Sequence, residues 1–227
     1  EQINGNRKED IKTMNDRFDT IRYIMDEVST YLVMRHTFSV KDDSAGYSML
    51  KYNRTSKFND LLDYLCENGV EEEKIGISNL FPMHPYSAFL CSKLSDYVGS
   101  ANRSVINFMN DDQKGFSKFI KDDTVFEEKG LLTPEWLWDF FFDSFSLNPL
   151  CGVFTSTYLN HKEKVEKMGD DYLRVFKGIL LLNTLVTQFA QKSPDIIKRI
   201  SPNEKSIRGM FADDRLESKM DDILRFL

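Results

Sequence analysis

Residues that bind metals or form disulfides are scarce in this 227-residue chain. The cysteines and histidines are few and far apart: Cys66, Cys91 and Cys151, and His36, His84 and His161. No C-x-x-C, H-E-x-x-H or H-x-x-x-H spacing occurs, so we predict no metal site. Three widely separated cysteines also argue against a disulfide framework and favour a reducing, cytoplasmic compartment.

Glycine-rich loops that cradle phosphates are absent too. None of the 11 glycines belongs to a G-x-x-x-x-G-K-[ST] loop, and the nearest stretch, 99–102, lacks the second glycine and the lysine. No serine occupies a G-x-S-x-G turn, although a triad assembled from distant residues stays open at this stage. We therefore predict no catalytic residue and no cofactor bound by this chain itself.

Long apolar runs and an excess of basic charge are also missing. The longest apolar candidate, 175–186, is interrupted by Lys177, Gly178, Asn183 and Thr184, whereas a membrane span needs about 18 apolar residues. Acidic residues outnumber basic ones 36 to 30, which gives no general attraction to nucleic acid. The chain starts in polar sequence without a methionine. We expect a cytoplasmic piece of a longer polypeptide, with no membrane contact.

Apolar residues spaced three and four positions apart are abundant. Between Ile11 and Leu32 this spacing predicts one long amphipathic helix, and the polar segment from Val40 to Ser56 predicts a loop. The same pattern indicates an all-α fold, with residues 1–160 forming a helical bundle. Its further helices are predicted at 58–65, 86–98, 101–109, 113–120 and 136–145.

Two proline positions mark predicted helix starts. Pro85 suits the first turn of a helix, where its missing N–H is not needed. The series Thr133, Pro134 and Glu135 combines a capping hydroxyl, a first-position proline and an acid near the positive end of the helix. We expect the Thr133 hydroxyl to cap the aromatic helix.

The last third, 161–227, is predicted to be a separate unit. A buried helix over 171–191, a short helix starting with a capping box at Ser201 and a third helix from Asp213 match the helical half of a winged-helix domain, truncated before its β-ribbon. From Ser193 to Leu227 there are seven basic and seven acidic residues. This neutrality favours protein contact over nucleic-acid reading, which stays an alternative.

Two segments carry a family resemblance. Residues 80–86 (LFPMHPY) are followed, after one amphipathic helix, by 101–109 (ANRSVINFM). This succession resembles the part that follows the nucleotide-binding core in large, multidomain bacterial P-loop ATPases of the AAA+/STAND kind, and 175–183 (VFKGILLLN) also resembles a helix of that family. The resemblance covers about 75–227.

The resemblance implies a helical lid and a winged-helix-like unit that couple nucleotide state to other domains. ATP and Mg²⁺ would then belong to an upstream nucleotide-binding domain of the same polypeptide. Arg103, with Asn102, corresponds to a lid arginine that touches the γ-phosphate, and His84 is a second candidate for facing the nucleotide. The alternatives from the residues themselves are an ion pair for Arg103 and a helix cap for His84.

The aromatic helix offers a different function. Its aromatic residues include Trp136, Trp138 and Phe142, which cannot all lie on one side of a helix. They predict either packing within the chain or a surface for a protein partner, because Trp and Phe are common at binding hot spots. A helical protein–protein interaction module is therefore an alternative to the ATPase lid.

Overall fold

A computed structural model describes residues 26–39, 51–52, 56–66, 71–95, 101–122, 130–189 and 194–227. Of these residues 77% are helical and none forms a strand, which confirms the all-α prediction. No helix among them is both long and apolar enough to cross a membrane. Twelve α-helices can be delimited within the described ranges: α1 (Glu27–His36), α2 (Asn59–Leu65), α3 (Glu71–Ser78), α4 (Pro85–Ser95), α5 (Ala101–Asn110), α6 (Phe116–Lys121), α7 (Glu135–Leu147), α8 (Gly152–Met168), α9 (Asp170–Phe189), α10 (Pro194–Ile200), α11 (Glu204–Met210) and α12 (Met220–Phe226).

Helix α1 overlaps only the last part of the helix predicted from Ile11 to Leu32. The prediction of one continuous helix was wrong, because the backbone of Asp26 is extended, with a ψ of 168°, and α1 begins after it and ends at His36. Its N-cap is Asp26, whose side chain accepts a hydrogen bond of 2.7 Å from the Ser29 N–H. An aspartate at this position satisfies a free N–H group and complements the helix dipole. The predicted helix before residue 26 and most of the predicted 40–56 loop lie outside the described residues, but Lys51 and Tyr52, which are described, are helical and not part of a loop.

Helix α4 is the centre of the N-terminal half. Every residue from Pro85 to Leu94 is buried, and α1, α2, α3, α5 and α11 pack around it. A helix without a polar face requires this complete enclosure, because apolar side chains left in water would forfeit their burial energy.

Helix α9 has the same role in the C-terminal half, where it packs against α7, α8, α10, α11 and α12. Gly178 lets the α11 region approach closely, since an added Cβ would lie 2.9 Å from Met210 Cε and 3.5 Å from a ring atom of Phe211. The buried side chains of both halves belong to one hydrophobic cluster. The predicted division between residues 160 and 161 falls inside α8, and a separation into two domains stays a prediction.

The end of the chain differs from the predicted three-helix unit. An additional helix, α10, precedes α11, and the helix expected from Asp213 begins only at Met220, after a short 3-10 turn at Glu217–Lys219. Asp213 has a φ of 56°, in the left-handed region, so the backbone cannot continue a right-handed helix there. The N-cap of α11 is Asn203 rather than Ser201, and the winged-helix arrangement is not confirmed.

Candidate functional site

His84 lies immediately before α4 and is completely buried. Its Nδ1 accepts a hydrogen bond of 3.1 Å from the Tyr86 N–H, so the ring caps the helix that Pro85 opens. Because Nδ1 is an acceptor, Nε2 carries the proton and donates to the Ala212 carbonyl at 3.0 Å. Burial lowers the pKa of His84 to about 4, so the ring is neutral near pH 7. His84 thus caps α4 in this structure, and contact of His84 with a nucleotide stays a prediction.

Backbone hydrogen bonds tie the segment before α4 to the segment before α7. The His84 N–H donates to the Leu132 carbonyl, and the Leu132 N–H donates to the Pro82 carbonyl, both at 3.0 Å. The Ser87 hydroxyl donates to the same Leu132 carbonyl at 2.7 Å. The starts of α4 and α7 are therefore held at a fixed distance.

Arg174 of α9 joins this region to the loop after α11. Its guanidinium donates to Glu135 Oε1 at 2.7 Å, to Thr133 Oγ1 at 2.9 Å and to both oxygens of Asp214, at 2.9 and 3.2 Å. Asp214 also accepts from the Leu216 N–H at 2.9 Å. We call Thr133, Glu135, Arg174 and Asp214 the Arg174 cluster; all four side chains are buried.

The ionisation of Arg174 follows from its neighbours. Burial lowers the pKa of Arg174, but the Glu135 and Asp214 carboxylates outweigh burial and raise its pKa above the usual value. The buried cluster therefore contains one cation between two carboxylates. The Thr133 hydroxyl donates to Glu135 Oε1 at 2.8 Å, and the N-cap position belongs to Pro134. The prediction that Thr133 caps α7 was thus wrong, since its hydroxyl donates to the Glu135 carboxylate instead.

The aromatic side chains of α7 pack mainly against the chain itself. Trp138 has no exposed surface and lies against Phe142, Phe145 and Tyr158, with ring centroids 5.5 to 5.7 Å apart. Trp136 packs edge-on against Phe119 at 5.5 Å. Trp136 and Phe142 keep part of their surface exposed, so partner binding by this helix stays a prediction for these two.

Trp136 and Phe142 both line an open groove formed by α7, α8, the first part of α9 and residues 113–114. We call it the α7–α8 groove; its volume is about 470 Å³. Its lining consists of Gln113, Lys114, Glu135, Trp136, Asp139, Phe142, Tyr158, Leu159, Lys162, Asp170, Arg174 and Lys177. The lining thus combines apolar with charged side chains, and two of the charged ones, Glu135 and Arg174, belong to the Arg174 cluster.

Two residues of the predicted lid site cannot be placed by their side chains. Arg103 and Asn102 belong to α5, and their side chains lie outside the described part of the chain. Contact of Arg103 with a nucleotide therefore stays a prediction. Within the described residues, no group of three or more His, Cys, Asp and Glu side chains could hold a metal ion.

The Arg174 cluster was not predicted from the sequence. The available signal was a charged residue, Arg174, inside a strongly apolar helix, because such a charge needs a buried partner. Lys177, one helical turn later, is the residue we noticed, and it pairs with Asp139 at 2.7 Å. Neither carboxylate of the cluster is close to Arg174 in sequence.

Comparison with known proteins identified no related protein. No family model, curated protein or solved structure matches this chain. The function must therefore be argued from the described geometry and from the resemblance in the sequence.

Proposed function

We propose that this chain is a non-catalytic helical part of a larger bacterial P-loop ATPase, in which it couples the nucleotide state to other domains. An upstream domain of the same polypeptide would bind ATP and Mg²⁺. The motifs at 80–86 and 101–109 support this assignment through their resemblance to AAA+/STAND proteins.

The Arg174 cluster is the observation that supports a coupling role. It joins the start of α7, the start of α9 and the loop after α11, while His84 bonds the start of α4 to Ala212 in that same loop. Elements fixed by buried ion pairs and hydrogen bonds move together, as the bodies of hinged domains do. A movement at the 80–86 segment would therefore be carried to the C-terminal helices.

The test is ATP turnover by the complete gene product. We expect turnover there, no ATP binding by the isolated 227-residue chain in calorimetry, and a loss of at least about tenfold in turnover for Arg103→Ala. Lys121→Ala removes another cation, one paired with Asp112 at 2.6 Å, and is the matched control that should leave turnover unchanged. A gene product without ATPase activity would refute the proposal, and normal turnover in Arg103→Ala would refute the role of Arg103.

The nucleic-acid alternative gains no support from the described residues. Arg215 and Lys219, which precede α12, pair with Asp171 at 3.2 and 2.7 Å. Cations neutralised in this way contribute little to phosphate binding. The protein-interaction alternative has a specific observation in its favour, the α7–α8 groove.

A further inference from the structure

Helices α1, α3 and α4 pack against one another beside a buried lysine, Lys93 of α4. Lys93 has only 4% of its side chain exposed, and it forms an ion pair with Glu27, which is 46% exposed in the first turn of α1. The Lys93 ammonium also lies over the Phe89 ring, 5.1 Å from its centroid. Because a buried cation is costly without a carboxylate, this ion pair holds the first turn of α1 on α4.

A second carboxylate, that of Glu73 in α3, lies close to this ion pair. Glu73 is 8% exposed, yet it forms no ion pair with any residue that the structure describes. Burial raises the pKa of Glu73, the nearby Glu27 carboxylate raises it further, and the nearby Lys93 ammonium lowers it. Buried carboxylates are normally paired, so Glu73 is a carboxylate available to a cation that can reach it.

The titratable groups that face Glu73 come from three helices and the end of a fourth. They are Glu27 and Tyr31 of α1, Cys66 after α2, Lys93 of α4 and Arg199 of α10. Burial raises the pKa of Tyr31 and also that of Cys66, to about 12, so both groups keep their protons.

Of the two cations near Glu73, only Lys93 is free to turn. Arg199 donates to the Leu65 carbonyl and, at 3.0 Å, to the Asp195 carbonyl, and these bonds hold its guanidinium in place. Lys93 instead has a compact ammonium on a flexible four-carbon stem. A change of partner within this group is therefore a movement of Lys93.

The first turn of α1 buries little apolar surface. Residues 26–29 are exposed or half-buried, and the buried residues of α1 begin at Thr30 and continue with Tyr31 and Met34. The next polar contact of α1 with α4 is between the Tyr31 and Ser92 hydroxyls, 3.3 Å apart. Release of the first turn alone would therefore expose few apolar atoms, and its main cost is the loss of the Lys93 partner.

We propose that Lys93 is a two-position switch that lets the first turn of α1 leave α4. While the turn is docked, Lys93 pairs with Glu27; when the turn is released, Lys93 pairs with Glu73 and water solvates the Glu27 carboxylate. Because the buried cation always has a partner, release costs less than breaking a single buried ion pair would. The first turn of α1 thus has two arrangements on a helical body that stays folded, as switching elements do.

The first experiment measures release by amide hydrogen exchange in the 227-residue chain. The Thr30 N–H donates to the Asp26 carbonyl at 3.0 Å, so its exchange reports opening of the first turn, and the buried Leu181 of α9 reports global unfolding. Glu73→Gln removes the second partner of Lys93. We expect it to slow the exchange of Thr30 relative to Leu181 by at least about tenfold. Glu72→Gln, the exposed neighbour on α3, is the matched control and should leave this ratio unchanged. A ratio that Glu73→Gln does not change would overturn the proposal.

The second experiment separates a switch from simple repulsion between Glu27 and Glu73. Lys93→Met keeps a long side chain but cannot pair with either carboxylate. If Glu73 acts through Lys93, adding Glu73→Gln to Lys93→Met should change the exchange of Thr30 by less than about threefold. An undiminished slowing would show that Glu73 only repels Glu27, and the switch would be refuted. Circular dichroism checks that each variant is folded.

The pH dependence of release is a third test, and it needs no change at Lys93. In the docked state the pKa of Glu73 is raised above its ordinary value of 4.5, whereas an ion pair with Lys93 after release would lower it. The docked state therefore binds the proton more tightly, so docking is favoured at low pH and release is favoured as the pH rises through the raised pKa.

The measurement is the exchange of Thr30 relative to Leu181 between about pH 4.5 and about pH 7, corrected for the pH dependence of exchange in unstructured peptides. The ratio should increase with pH in the wild type and stay constant in Glu73→Gln. A constant ratio in the wild type, or an equal increase in both proteins, would contradict the switch. None of these outcomes depends on ATP turnover, so this proposal and the ATPase proposal can fail separately.

Discussion

Arg174 and Arg208 each lie between two carboxylates, Arg174 in the core and Arg208 on the surface. Arg174 contacts Glu135 and Asp214 with 3% of its side chain exposed. Arg208 contacts Glu204 and Asp221 with 41% exposed. The chemical groups are the same type in both sets, so their different surroundings alone should decide how much each arginine matters.

The difference concerns what remains after an arginine is removed. In the exposed set water solvates the abandoned carboxylates, and the pairs contribute little to stability. In the buried set two carboxylates would remain without their cation at a site where their side chains have almost no contact with water, which is a large cost. Removing one partner of a buried cluster therefore lowers the free energy of unfolding strongly, even where the complete cluster contributes little net stability.

The largest effect is expected for Arg174→Ala. The change leaves Glu135 and Asp214 without the guanidinium and should lower the free energy of unfolding by about 3–5 kcal/mol. Urea unfolding followed by circular dichroism measures this. A loss below about 1 kcal/mol would mean that water enters the site and would remove the contrast with Arg208.

Replacing the whole charged set tests the reason for that loss. The triple variant Arg174→Met, Glu135→Leu and Asp214→Leu leaves no uncompensated charge, and it should be more stable than Arg174→Ala in the same urea experiment. If the triple variant is the less stable of the two, the buried ion pairs themselves stabilise the fold, and packing cannot substitute for them.

A pH effect of intermediate size is expected from His84, which lies beside the Arg174 cluster. Its pKa is about 4 in the folded chain against 6.5 as the ordinary value, so the unfolded chain binds more protons between these two values. Stability from His84 is therefore complete above about pH 6.5 and is lost as the pH falls toward about 4, by on the order of 3 kcal/mol.

The measurement is the free energy of unfolding of the wild type and of His84→Asn between about pH 7 and about pH 4.5. Asparagine can cap α4 but does not titrate in this range, so the variant should lack the acid-induced loss that His84 causes. Parallel curves for the two proteins would show that another group is responsible.

Arg208→Ala should have the smallest effect of the charged-cluster variants. We expect no change in the free energy of unfolding beyond experimental error, because Arg208, Glu204 and Asp221 are all largely exposed. Adding salt should leave the defect of Arg174→Ala and remove any residual effect of Arg208→Ala. A clear loss for Arg208→Ala at high salt would contradict the view that burial separates the two clusters.

Much of the fold could be predicted because helix signals are local. Apolar spacing located α2, α4, α5, α7 and α9 within a few residues, and Pro85 marked the start of α4. The helix predicted from Asp213 does not form there. Asp213 adopts a left-handed conformation, and the side chain of Asp214 points inward to Arg174, a partner that is distant in sequence.

The candidate site could be predicted only in part. His84 was recognised as an unusual residue at a helix start with a helix cap among its alternatives, and its bond with the Tyr86 N–H is local. Only its bond to the Ala212 carbonyl depends on the tertiary structure. The aromatic residues of α7 were correctly seen to exceed one face, but their division into buried Trp138 and partly exposed Trp136 depends on where α8 packs.

By itself the amino-acid sequence indicated most of the helices, though not α3, α8 or α10, because apolar spacing and helix caps depend on neighbours within one or two helical turns. Only the tertiary structure decided which charges are buried, since Arg174 meets partners 39 and 40 positions away. It also decided that Lys114 and Lys162 line the same groove. Desolvation and long-range pairing are properties of the packed molecule, and no local pattern encodes them.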